Sequence, residues 1–125
     1  MATSDASVDF ASADLIDVLE ADRVRFDDLS FGLVVMDRSG LVIHYNRAES
    51  ALSGLDRERV VGRNFFEEVG PCTNNFLVAQ RFADSEDLDE TIDYVFTFRM
   101  APTPVRLRML ARAGSDRQYL VVLRR

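Results

Sequence analysis

From Ile92 to Met100 the chain reads IDYVFTFRM, and apolar side chains fall on every second position. Ile92, Tyr94, Phe96, Phe98 and Met100 share one face, while Asp93, Thr97 and Arg99 share the other. This pattern limits the fold more than any other feature of the sequence. A period of two fits a strand with one buried face and cannot sit on a helix. PVRLRMLAR repeats it, with Val105, Leu107, Met109 and Ala111 set against Arg106, Arg108 and Arg112. AGSD then predicts a turn, and RQYLVVLRR a last strand. Near the other end, FGLVVMD and LVIHYN predict two more strands, joined by a tight turn at Arg38, Ser39 and Gly40.

The intervening sequence has helical spacing in short pieces. In NRAESALSG, Asn46 stands where a helix is capped, Glu49 follows three residues later, and Gly54 stands at the stop. Asp56 before RERVV and Asn64 before FFEEV predict two more short helices, broken by Gly54, Gly62 and Gly70. NNFLVAQRFADS predicts a longer helix with Phe76, Leu77, Ala79 and Phe82 on its apolar side. At the N-terminus, SADLIDVLEADRVRF carries Leu15, Ile16, Val18, Leu19 and Val24 at roughly helical spacing behind a cap at Ser12. The expectation is an α+β domain: a five-stranded antiparallel sheet flanked by short helices, with residues 1–28 as an N-terminal helical cap and 29–125 as the core.

Composition removes several kinds of chemistry. A chain of 125 residues, 47% hydrophobic with nine Phe, is one domain with a real core. A net charge of -6 argues against a nucleic-acid surface. No apolar run is long enough to cross a bilayer, and MATSDASVDF lacks the basic and apolar regions of a signal peptide, so a cytoplasmic protein away from the membrane is expected. All fifteen basic residues are Arg, which excludes Schiff-base chemistry and a lysine-dependent phosphate loop. One Cys and one His allow neither an internal disulfide nor a four-ligand zinc site from side chains of these types.

The lone cysteine, Cys72, lies in NFFEEVGPCTNN directly after Gly70 and Pro71. A single cysteine commonly serves as a small buried hydrophobe. As a nucleophile it would need a base to form the thiolate. The sole imidazole, His44, precedes Tyr45 on a strand, so an inward Tyr45 sends His44 outward into solvent, and a Cys/His hydrolase is disfavoured. Tyr45 and Glu49, four residues apart across a helix start, can present two donors to one anionic oxygen if the carboxyl is protonated. Glu49 equally matches a capping box with Asn46. Ser53, a turn further on, is either a brace for Tyr45 or an ordinary solvated serine.

Taken in order, FG, DRSG, YNRAES, LSG, VVGRNFFEEVGPCT, YVFTF and MAPTPVRLRM resemble the photoactive yellow protein family, blue-light receptors of the PAS fold. The resemblance runs from about Phe31 to the C-terminus. It implies a PAS fold and a chromophore, 4-hydroxycinnamic acid (p-coumaric acid), bound as a thioester to Cys72. It implies that Tyr45 and Glu49, with Ser53 beside them, hold the chromophore phenolate. Val34, Phe65, Val69, Gly70 and Phe96 match apolar wall positions, each of which could equally be plain core. Met100 matches a methionine that assists dark recovery, and its other reading is a core-filling strand residue. The mechanism implied is trans-cis isomerisation, proton transfer from Glu49 and partial unfolding of the N-terminal cap.

Two departures stand out. The arginine that usually covers the phenolate end is Leu55, and the tyrosine two residues before Met100 is Phe98. Both lie at the pocket lining, so an altered recovery lifetime is expected. The loop after Cys72 is also a few residues shorter than usual. Because the chain stops at its last strand, the signal is expected to pass to a separate, unidentified downstream signalling protein, with no nucleic-acid or membrane partner and the receptor a monomer or weak dimer. A receptor, not an enzyme, is the expected class. The alternatives are a PAS sensor of another ligand, a thiol redox sensor and a relative that never receives its chromophore. The NCRFLQ-like motif of flavin sensors is absent, His44 is poorly placed for haem, and there is no resolving cysteine.

Overall fold

The alternating segments form the strands they predict. In a computed structural model that describes residues 8–98 and 101–125, the Phe98 side chain excepted, they are β1 (Gly32–Asp37), β2 (Val42–Tyr45), β3 (Leu88–Phe98), β4 (Ala101–Ala111) and β5 (Arg117–Arg124). They make one sheet in the order β2-β1-β5-β4-β3, antiparallel at every pairing. The first and last strands therefore meet at its centre, from Gly32↔Val122 to Asp37↔Arg117. β4 tolerates Pro102 and Pro104 because both precede Val105, where its pairing with β5 begins.

Among the described residues four short helices flank the sheet, α1 (Leu15–Glu20), α2 (Arg47–Ser53), α3 (Arg57–Val60) and α4 (Ala79–Asp84), and Phe26–Asp28 form a 3-10 turn. FFEEV forms a single wide π-type turn, Phe65–Val69, and PCT a 3-10 turn, Pro71–Thr73. Asn64 caps the wide turn, its Oδ1 accepting from the amides of Phe66 and Glu67.

Side-chain alternation gives the sheet two buried faces. On one, Val34, Met36, Val105, Leu107, Met109, Leu120 and Val122 pack against Tyr45, Phe65, Phe82 and Phe96. On the other, Leu33, Val35, Leu110, Tyr119 and Val121 meet Phe10, Leu15, Leu19, Leu29 and Phe31 of the N-terminal segment. Polar ties reinforce this second contact. The buried Arg108 guanidinium donates from Nη1 to the carbonyls of Phe10 (2.9 Å) and Ser12 (2.7 Å), and from Nε and Nη2 to Asp89. Glu20 accepts from Tyr119 Oη at 2.5 Å and Ser115 Oγ at 2.9 Å, and Arg112 pairs with Asp17.

Two local expectations need correction. Ser12 does not cap α1: its hydroxyl accepts from the Asp9 amide, and Asp14 precedes the helix without a capping bond. The longer helix expected from NNFLVAQRFADS is helical only from Ala79. Asn75 Oδ1 accepts from the amides of Leu77 and Val78, and Val78 departs from helical geometry. Phe76 and Leu77 are thus 76% and 38% exposed instead of lining an apolar helix face.

Candidate functional site

Three of the singled-out residues meet where β2 runs into α2. Tyr45 closes the strand, and its fully buried phenol donates to Ser53 Oγ at 2.8 Å across the length of the helix. Ser53 Oγ also accepts from the Leu55 amide at 3.1 Å, just past the left-handed Gly54 that ends α2. Between them Glu49 points into the interior, with neither carboxyl oxygen hydrogen-bonded among the described residues.

Asn46 explains why the chain turns so sharply here. Its Oδ1 accepts from the amides of Leu33 (2.9 Å) and Glu49 (3.0 Å), while its Nδ2 donates to the carbonyls of Phe26 (2.8 Å) and Phe31 (3.0 Å). One fully buried amide thus caps α2 and pins it to β1 and the 26–28 turn. Only half of a capping box forms. The Asn46 amide goes to the Leu33 carbonyl, which leaves the Glu49 carboxyl free to turn inward.

Burial sets the electrostatics of the pair. Desolvation pushes the Glu49 carboxyl up to about 8, outweighing the nearby Tyr45 phenol, which pulls the other way and gives its own hydroxyl to Ser53. Desolvation first, and then the neighbouring Glu49 charge, raises the Tyr45 phenol far above its ordinary value. At neutral pH both groups are protonated. The site is therefore a cluster of neutral donors in a dry interior.

Cys72 is half-buried on the 71–73 turn and packs against the same core. Its carbonyl accepts from Tyr94 Oη at 2.6 Å and Asn75 Nδ2 at 3.1 Å, and Asn75 Nδ2 also donates to Tyr94 Oη. Thr73 Oγ1 donates to the Gly70 carbonyl at 2.6 Å. The backbone of the turn is held from three sides while, among the described residues, the thiol carries no such tie. Gly70 lies flat on Phe65, and a Cβ there would come 2.9 Å from the ring.

Of the expected wall residues, Val34, Phe65, Val69 and Phe96 are buried in this core, and Gly70 is buried beside it. Leu55 is half-buried at its edge, beside an open groove of about 350 Å³ that it lines with Val60, Val69, Arg59 and Arg63. Met100 and the Phe98 side chain lie outside the described residues. His44 is not the solvated residue expected. It faces away from Tyr45, but the 26–28 turn covers it: the Phe26 ring lies 5.0 Å away edge-on, Asp27 lies 3.9 Å from Nε2, and the side chain is 33% exposed. Sequence reasoning also missed Asn75 and Tyr94 as supports for Cys72. Tyr94 signalled only a strand face, and Asn75 a helix start.

The comparisons agree with this geometry. The family model described as the PAS fold matches residues 20–125. A photoactive yellow protein from Rhodothalassium salexigens is 35% identical over 103 residues, which is 80% of this chain and 82% of the relative. Another, from Halochromatium salexigens, is 37% identical over 101 residues, covering 78% and 81%. Among solved structures, the photoactive yellow protein domain of the sensor histidine kinase Ppr from Rhodospirillum centenum superposes with a TM-score of 0.76 at 46% identity, covering 82% of this chain and 99% of that one. The chain belongs to the photoactive yellow protein family of PAS-fold photoreceptor domains.

Proposed function

We propose that the protein is a blue-light receptor that carries 4-hydroxycinnamic acid as a thioester on Cys72 and binds its phenolate with Tyr45 and Glu49. The observation that carries this reading is the Glu49 carboxyl: fully buried, held protonated by desolvation and, among the described residues, without a hydrogen-bond partner beside a second buried donor. A neutral core has no use for such a group, because an unsatisfied buried polar atom costs about 1–3 kcal/mol. An anionic acceptor makes it an asset. The residues present fit the group on the other count as well, since Cys72 offers an untied sulfur on a turn whose backbone is fixed.

Bound there, the group supplies a double bond that isomerises from trans to cis in light and a phenolate that accepts hydrogen bonds and a proton. The remaining steps fall to this chain. Ser53 holds the Tyr45 hydroxyl in place, and Tyr45 and Glu49 donate to the anion. Glu49 then gives up its proton after illumination and is left as a carboxylate in a dry core, an uncompensated charge costing several kcal/mol. The N-terminal segment, proposed as a cap of residues 1–28 on a core of 29–125, is the element that yields. Val34, Leu55, Phe65, Val69, Gly70, Phe96, Phe98 and Met100 are proposed to line the pocket, Leu55 and Phe98 in place of residues that elsewhere affect solvent access.

The output passes to a downstream signalling protein, a reading supported by the Rhodospirillum centenum relative, whose domain belongs to a sensor histidine kinase. No helix among the described residues is long and apolar enough to cross a membrane. We place the receptor in the cytoplasm.

The test is reconstitution. Purified protein is incubated with an activated ester or anhydride of 4-hydroxycinnamic acid, beside Cys72→Ala, and followed by intact mass and visible spectrum. The expected result is a thioester adduct on the wild type alone that absorbs blue light and bleaches reversibly. Equal mass gain in Cys72→Ala, or no colour, sinks the assignment. Glu49→Gln should shift the absorption to longer wavelength, because an amide donates a weaker hydrogen bond than a carboxylic acid and leaves more charge on the phenolate.

A further inference from the structure

Glu49 occupies its position because residue 32 has no side chain. A Cβ on Gly32 would lie 2.1 Å from Glu49 Oε1 and 3.2 Å from both Cβ and Cδ of the same residue, and the first distance is one no non-bonded pair reaches. The backbone does not ask for glycine at this position. The positive-φ glycines are Gly40, Gly54, Gly62 and Gly114, whereas Gly32 is an ordinary strand residue paired with Val122. Glycine is needed here for space, not for conformation.

Gly32 also borders an open groove of about 300 Å³, lined with it by Ser30, Phe31, Ala48, Ala51, Leu52, Val122 and Arg124. Gly32 is thus a neighbour of both the buried carboxyl and an open surface. We propose that Gly32 is the positioning residue for Glu49: its bare Cα leaves the seat that holds the acid in the interior, and a side chain there displaces the acid into the adjoining groove. Among the described residues neither Glu49 oxygen has a hydrogen-bond partner within bonding geometry to resist this movement. Water in the groove then stabilises the ionised form, and the acid loses its capacity to donate at neutral pH. Only the spectral consequence of the proposal rests on the phenolate reading above.

The test uses the full chain without chromophore. The carboxylic C=O infrared band is followed against pH in wild type, Gly32→Ala and Gly32→Ala/Glu49→Asp, with Glu49→Gln assigning the band. Wild type should keep a protonated Glu49 at pH 7. In Gly32→Ala the midpoint should fall by about two pH units towards the ordinary glutamate range. The double variant, whose acid is one methylene shorter and clears the new methyl, should recover a high midpoint. If Gly32→Ala does not fold, the Glu49→Asp background must restore folding. An unchanged midpoint in Gly32→Ala, or a double variant no better than the single, overturns the proposal. After reconstitution, Gly32→Ala should share the long-wavelength shift of Glu49→Gln. Wild-type colour in Gly32→Ala beside a shifted Glu49→Gln also overturns it. If neither is shifted, the phenolate assignment fails and the infrared result alone decides the role of Gly32.

Discussion

On one face of the sheet the N-terminal segment is fastened by groups that water can replace. Arg108 reaches two of its carbonyls, Tyr119 and Ser115 share Glu20, and Arg112 meets Asp17, over an apolar patch around Phe10, Leu15 and Leu19. On the opposite face α2 is held by buried partners, Asn46 to Leu33 and the 26–28 turn and Ser53 to Tyr45, and it buries Glu49, an ionisable group that water cannot reach. Polar ties lose little when they open, because solvent takes over each partner. A charge made at Glu49 has no such outlet. On the proposed function the two faces respond unequally to stress: charging the α2 side raises the energy of the core, and the release we propose is the opposite, solvent-exchangeable contact.

The largest way to test this contrast is to titrate Glu49 in the protein without chromophore. The fold holds the carboxyl near 8 against 4.5 for the free group, so the folded chain keeps a proton that the unfolded chain releases. The sign follows: this contribution to stability is full below pH 4.5 and is lost as pH rises through 8, at up to ~1.4 kcal/mol per pH unit. Urea unfolding at several pH values should show that fall, and Glu49→Gln should flatten it. A slope of the same size in the variant would mean that the α2 face is not the charged-strain side.

Arg108→Met sharpens the other half. It keeps most of the side-chain bulk over the sheet but abandons two backbone carbonyls and Asp89, and since Asp89 is half exposed, a loss of about 2 kcal/mol is expected. Hydrogen exchange should quicken mainly in residues 10–20, and uniform quickening would show that the cap does not open separately. Tyr119→Phe removes one bond to Glu20 and should cost about 1 kcal/mol, measured the same way.

The smallest effect should come from His44, between the two faces. Burial under the 26–28 turn holds its imidazole below 6.5, with Asp27 drawing a proton on and Arg57 opposing it. That stability is present above about pH 6.5 and lost as pH falls through the folded value. His44→Gln should remove this acid-side loss while leaving the Glu49 slope between pH 4.5 and 8. The single histidine makes the titration readable from one NMR cross-peak, and a midpoint above 6.5 would contradict the burial argument.

Much of the fold was legible because strands advertise themselves. Period two in β3 and β4 located the sheet, and Gly54 located the end of α2, since both signals come from local sterics. The failures come from side chains claimed by partners that the pattern does not name, some a few residues away and some distant in sequence. Asn75 looked like a helix start but supports the Cys72 carbonyl and Tyr94 instead. His44 looked solvated until a turn eighteen residues earlier in the chain covered it. Tyr45 and Glu49 stood out by spacing, yet spacing left Glu49 divided between cap and pocket. The Asn46 amide excludes the full capping box by bonding to Leu33, a contact no local pattern records. Gly32 gave no signal of its importance, because an isolated glycine in a strand does not reveal which distant side chain it makes room for.

The residue in place of the usual covering arginine has a further consequence. Leu55 is clamped at both ends of its peptide unit, its N–H by Ser53 Oγ and its carbonyl by the Ser50 hydroxyl at 2.5 Å, so the main chain at this corner does not depend on what projects from it. Position 55 is an interchangeable fitting on a fixed mount. Exchanging its side chain alters what stands at the mouth of the neighbouring groove while the link through Ser53 to Tyr45 stays in place.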